Sequence, residues 1–147
     1  MQPRIDYFAA APEVMKAMLA LEKAVVTSGL EKSLIELVKT RASQINGCAF
    51  CIDMHTRDAM KGGETATRLL LLDAWREAPF YSPRERGALA WTEALTLISE
   101  TYAPDEVWAA LKAEFSEAEI VKLSLLIATI NAWNRLAIGF RSVPAGK

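Results

Sequence analysis

The chain is short of the features that mark many specialised functions. It has one histidine and two cysteines, so a structural zinc site built from two separated ligand pairs lacks its second pair. Seventeen Lys and Arg against eighteen Asp and Glu give a net charge of −1, with no run of like charges. Electrostatic capture of nucleic acid or of a membrane surface is therefore not expected. The longest apolar run, Leu123 to Ile130, is far short of a membrane span and is closed by Asn131, Asn134 and Arg135. Met1 to Phe8 has no apolar stretch of signal-peptide type, so a cytoplasmic protein is expected. No β-type alternation persists, which argues against a sheet, and neither a tandem repeat nor a low-complexity segment is present.

What remains is helical. At 147 residues the chain has the size of one domain with a sizeable core, and residues 1–147 read as a single domain. Hydrophobic residues make up 52%, a slight surplus consistent with surface covered by another subunit. Val14, Met18, Leu21 and Val25 predict an amphipathic helix over about 12–27, ended by Ser28-Gly29. A second helix is expected over 31–45, with Leu34, Val38 and Ile45 on one stripe, broken by Asn46-Gly47. A third runs from about Cys48 to Lys61, and a shorter one from Glu64 to Asp73. Ser82-Pro83-Arg84-Glu85 is a capping box with proline at the first helical position, opening a helix that carries Ala88, Trp91, Leu95 and Ile98. Pro104-Asp105-Glu106 starts another helix, to about Phe115. Ser116-Glu117-Ala118-Glu119 is a second capping box, opening a mostly buried helix to near Gly139. The expectation is an all-α bundle of about six to seven helices.

Both cysteines and the histidine fall within eight residues, Cys48 to His55. On a helix Cys48 and Cys51 are about 60° apart and His55 lies within about 20° of Cys48, so all three share a face. Cys51 and His55 form an i, i+4 pair that can share a proton. Cys48 follows Asn46-Gly47 at the helix start, where free N–H groups favour a thiolate. The cysteines can be read as small buried hydrophobes, as zinc ligands with His55 and a fourth group, or as a redox dithiol. Their position at a helix start beside the histidine favours the dithiol. Which sulfur attacks is left open: the helix terminus favours Cys48, while the histidine favours Cys51. Glu36, polar among Ile35, Leu37 and Val38, is either a solvated surface residue or a partly buried carboxylate that relays protons or orients His55.

Glu36, eleven intervening residues, then Cys48-x-x-Cys51-x-x-x-His55 resembles the signature of alkylhydroperoxidase D-like proteins of the carboxymuconolactone decarboxylase superfamily. The core resemblance covers about Ser28 to Leu72, and the ending Asn131 to Phe140 is similar to members with a single core motif. The resemblance implies that Cys51 attacks a hydroperoxide, that Cys48 resolves the product as a 48–51 disulfide, and that His55 and Glu36 relay protons. It further implies no cofactor and no metal, a dithiol or lipoyl-type reductant, and a homo-oligomer, trimer or hexamer. One departure stands out: the peroxidases carry a histidine immediately before the second cysteine, and this chain has Phe50.

The leading expectation is a thiol-dependent hydroperoxide reductase. A dithiol–disulfide redox adaptor or sensor with little peroxidase activity is the alternative. Muconolactone decarboxylation is disfavoured, because the decarboxylases do not rely on a cysteine pair. Trp75, Trp91, Trp108 and Trp133 are expected to be core or interface anchors.

Overall fold

The structure, a computed structural model, describes residues 1–145. Among them it contains nine α-helices: α1 (Tyr7–Ala10), α2 (Pro12–Val26), α3 (Lys32–Asn46), α4 (Ala49–Lys61), α5 (Ala66–Leu70), α6 (Pro83–Thr96), α7 (Ile98–Thr101), α8 (Asp105–Glu114) and α9 (Glu117–Phe140). A 3₁₀ turn, Leu72–Ala74, follows α5, and the described residues form no strand. Six of the helices have ten residues or more, so the all-α expectation holds and the excess over six to seven comes from short pieces.

Local chemistry sets most boundaries. At α6 the Ser82 hydroxyl accepts from Glu85 N–H while the Glu85 carboxylate accepts from Ser82 N–H, and Ser116 with Glu119 repeats this at α9. Gly47, with φ +69°, ends α3 in the left-handed region that a glycine occupies without steric cost. Cys48 is then the N-cap of α4 rather than its first residue. The segment read as one helix from Glu64 to Asp73 is a single turn and a 3₁₀ turn. α6 stops before Ile98, which lies on the separate turn α7, and Thr101 Oγ1 donates to Ala94 O at 2.7 Å. The chain leaves α7 through left-handed Tyr102 and Ala103.

The stripe expected on α2 needs correction. Met15 and Val25 are buried, but Val14 and Leu21 are exposed. The inward face includes Glu22, whose carboxylate is paired with the buried ammonium of Lys39 and accepts from Trp133 Nε1 at 3.0 Å. With both partners supplied from α3 and α9, a charged residue is tolerated where a count of apolar spacing places a hydrophobe.

α3 is central, packing against α4, α6 and α9. Its two sides serve two apolar clusters. Leu34, Ile35 and Val38 meet Trp91, Leu111, Leu123, Leu126 and Ile127 from α6, α8 and α9. Leu37 meets Ala59, Leu69, Leu72, Trp75, Tyr81 and Leu89. Truncating a fully buried leucine such as Leu126 to alanine is expected to cost about 2–5 kcal/mol. α9 is long and apolar enough to cross a membrane by length and composition, yet it packs on α2, α3, α6 and α8 and buries Leu123, Leu126, Ile127 and Ile130. It is a core helix of the bundle.

Candidate active site

The site grows out of the α3–α4 hairpin. Gly47 N–H donates to Gln44 O at 3.2 Å and Cys48 N–H to Ser43 O at 3.0 Å, which closes α3 and turns the chain into α4 within two residues. The turn is tied to α9. Asn46 Nδ2 donates to Asn134 Oδ1 at 2.8 Å and to Asn131 Oδ1 at 3.0 Å, and Asn134 Nδ2 donates to Ser43 Oγ at 3.0 Å. Asn131 Nδ2 is in turn held by Thr96 Oγ1. A buried amide network of this kind fixes a position because each polar group lost from it leaves its partners unsatisfied.

Cys48 and Cys51 are joined as a disulfide, with Cα atoms 5.4 Å apart. The separation lies within the ordinary range for such a bond. Cys51 N–H, in the first turn of α4, points at Cys48 Sγ at 3.4 Å. When the bond is reduced, that N–H and the helix terminus stabilise a Cys48 thiolate.

His55, one turn beyond Cys51, is 5% exposed. Its Nδ1 lies 2.9 Å from Glu36 Oε2, a contact that joins α4 to α3. A carboxylate can only accept, so Nδ1 carries the proton and Nε2 of the neutral ring is free to accept another. The structure thus places Glu36 as the partner of His55 rather than as a solvated surface residue. The bundle brings all four predicted residues, Glu36, Cys48, Cys51 and His55, to one hairpin.

Three cavities surround them. Cys51 and His55 line one of about 330 Å³, walled by Tyr7, Phe8, Phe50, Met54, Ile130 and Trp133, with Glu22 at its edge. Its surface is mostly apolar and aromatic, and Phe8 stacks against Trp133 with ring centroids 6.3 Å apart. Cys48 lines a second cavity, about 210 Å³, together with Gly47, Ala49, Ile138, Arg141 and Ser142. Phe50 and Ala137 line both and form the wall between them. Glu36 opens onto a third, larger hollow of about 540 Å³, whose polar members include Lys32, Asp58 and Glu64. The Glu36–His55 pair therefore spans from the cavity of Cys51 to this third hollow.

The sequence left several of these residues unmarked. Tyr7 and Phe8 reach the cavity because Arg4 anchors the preceding segment to Gly139 O at 2.8 Å, and Asp6 caps α1 by accepting from Phe8 and Ala9 N–H. Asp6 as a helix-capping residue was the available signal. Lys39 was another, a charge within the apolar face of α3, although its partner Glu22 was not readable. Trp133 serves as a cavity wall, while Trp75 and Trp91 are core residues whose ring N–H groups are taken by Glu93 and Ser124.

An all-α bundle with a disulfide at a helix start, backed by an imidazole–carboxylate pair, defines an alkylhydroperoxidase D-like protein. The chain belongs to the carboxymuconolactone decarboxylase family, which residues 12–94 match. It is 46% identical over 147 residues to the uncharacterised protein YdfG of Bacillus subtilis (strain 168), covering 100% of both chains. It is similar to a crystal structure of a protein of unknown function from Agrobacterium tumefaciens, described as a candidate antioxidant defence protein AhpD. That likeness has a TM-score of 0.97, 48% identity and coverage of 99% of this chain and 100% of the other. The fold is shared more widely. A peroxidase-related protein with an alkylhydroperoxidase AhpD core from Ralstonia eutropha JMP134 superposes with a TM-score of 0.82 at 20% identity, covering 95% of this chain and 75% of that one.

Proposed function

We propose that the protein is a thiol-dependent hydroperoxide reductase. The observation that carries this reading is the Glu36–His55 hydrogen bond of 2.9 Å, set one helical turn from Cys51 on an apolar cavity. Family membership and the AhpD-like relatives support a peroxide-related role.

In the reduced protein His55 Nε2 takes the Cys51 proton and Glu36 steadies the resulting imidazolium. The Cys51 thiolate attacks one oxygen of ROOH, the O–O bond breaks, and the departing RO⁻ takes the proton back from His55 to leave as ROH. Cys51 is now a sulfenic acid. Cys48, its thiolate favoured by the helix terminus, attacks that sulfur; the S–O bond breaks, the displaced hydroxide takes up the proton Cys48 released and leaves as water, and the 48–51 disulfide forms. A dithiol of lipoyl type returns the pair to the reduced state. No cofactor or metal enters these steps, and the apolar walls suit an alkyl or aryl hydroperoxide.

A dithiol–disulfide adaptor is the second reading, favoured by Phe50 standing where the peroxidases carry a second histidine. One experiment separates the two. Peroxide consumption by reduced wild type is compared with Cys48→Ser and Cys51→Ser, with a dimedone-type reagent to trap sulfenic acid. Turnover lost in both variants, with the trapped adduct on Cys51 of Cys48→Ser, supports the reductase. Consumption no faster than by free dithiol, alongside rapid exchange with a lipoyl disulfide, would leave the adaptor.

A further inference from the structure

We propose that the two sulfurs of the disulfide serve different molecules from opposite sides, and that a slender dithiol reductant attacks Cys48 through the second cavity. The inference rests on the redox reading above and adds to it the entry site and the target sulfur.

The geometry has three parts. First, each sulfur-bearing residue lines its own cavity: Cys51 the aromatic one with His55, Cys48 the smaller one beside Ile138, Arg141 and Ser142. Phe50 and Ala137 line both cavities and pack against the two cysteines between them. Second, Cys48 is 1% exposed. A cysteine fixed on the face of a folded partner cannot approach a sulfur so deep, whereas a thiol at the end of a flexible arm can enter a hollow of about 210 Å³. Third, each sulfur has its own stabiliser as a leaving group: the Glu36–His55 pair serves Cys51 and the Cys51 N–H serves Cys48.

The exchange then balances. A thiolate of the reductant attacks Cys48 Sγ and the 48–51 bond breaks. Its electron pair leaves on Cys51 Sγ, which takes up a proton through Glu36 and His55. The second thiolate of the reductant attacks the reductant sulfur now bound to Cys48. A cyclic disulfide is released and Cys48 departs as a thiolate held at the helix start. The dithiol loses two electrons and the protein disulfide gains them.

The test needs no peroxide. Full-length protein is oxidised with diamide and mixed with 2-mercaptoethanol, then quenched within milliseconds and alkylated. Chymotrypsin cuts after Phe50 and separates the two cysteines for mass spectrometry. At least tenfold more adduct is expected on Cys48 than on Cys51. Dithiothreitol reduction of the disulfide is expected to slow at least tenfold in Ile138→Trp, an exposed position of the second cavity, and in Ser142→Trp, a half-buried one, and far less in Met54→Trp, which narrows the first. Adduct mainly on Cys51 or shared equally, unchanged reduction in both Ile138→Trp and Ser142→Trp, or equal slowing in Met54→Trp would each overturn the proposal. Failure of the peroxidase reading shows separately, as absence of peroxide consumption by the reduced wild type.

Discussion

Asn46 Nδ2 lies 2.8 Å from Asn134 Oδ1, a hydrogen bond between residues 88 apart in sequence. It fastens the last residue of α3 to the C-terminal third of α9, and Asn134 is fully buried. Replacing Asn134 by alanine leaves Asn46 and Ser43 without that partner. The expected cost is about 1–3 kcal/mol, read by urea unfolding of the disulfide form. A loss below about 0.5 kcal/mol would show that the amide network contributes nothing to holding the turn.

Removing the base tests the proton route. His55→Ala is expected to lower kcat/KM for an alkyl hydroperoxide by about 10²–10⁴-fold, the usual worth of general acid–base catalysis. Glu36→Gln is expected to be milder, since a Gln carbonyl still accepts from Nδ1–H but does not steady an imidazolium. Equal losses in the two variants would assign Glu36 a larger part than orientation and charge support.

Substrate choice is expected to follow the aromatic cavity. Met54→Trp narrows it at an edge position, so KM for cumene hydroperoxide is expected to rise several-fold while the rate with hydrogen peroxide changes little. Parallel changes for both peroxides, measured under identical reductant, would remove the cavity from substrate selection.

The second capping box has a pH signature. Glu119 is pulled from an ordinary 4.5 to about 2, chiefly by accepting the Ser116 backbone N–H and also by Arg84 and the Ser116 hydroxyl. Glu31, likewise bonded to Arg84, is lowered too. A carboxyl whose folded pKa is depressed stabilises the fold above its unfolded pKa and loses that contribution as pH falls through the folded value. Glu119→Ala is therefore expected to lower the unfolding temperature at pH 7. Its deficit in thermal unfolding should shrink between pH 4.5 and 2. A deficit that stays constant across that window would place the effect elsewhere.

The chain announces its helices and its reactive residues through local rules. Ser82–Glu85 and Ser116–Glu119 mark helix starts because a capping box needs only four residues, and Gly47 marks a stop for the same reason. Cys48, Cys51 and His55 are legible because helical spacing alone puts them on one face. Glu36 is only half legible: spacing gives its place on α3, but its contact with His55 depends on how two helices meet. The walls of the cavity are illegible, because Tyr7, Phe8, Glu22 and Trp133 come together only through tertiary packing. The inward face of α2 is illegible for the same reason, since the Lys39–Glu22 pair joins positions 17 apart.

The α3–α4 hairpin holds Glu36, Cys48, Cys51 and His55 within twenty consecutive residues, while the cavity walls are contributed by segments more than a hundred residues apart. The hairpin itself supplies only Phe50 and Met54 to those walls, and the other wall residues come from outside it. Exchanges at the exposed positions Phe8 and Ile138 can reshape those walls without touching the buried contacts of the hairpin. Such a scaffold can vary at its outer walls while Glu36, Cys48, Cys51 and His55 keep their places on one hairpin.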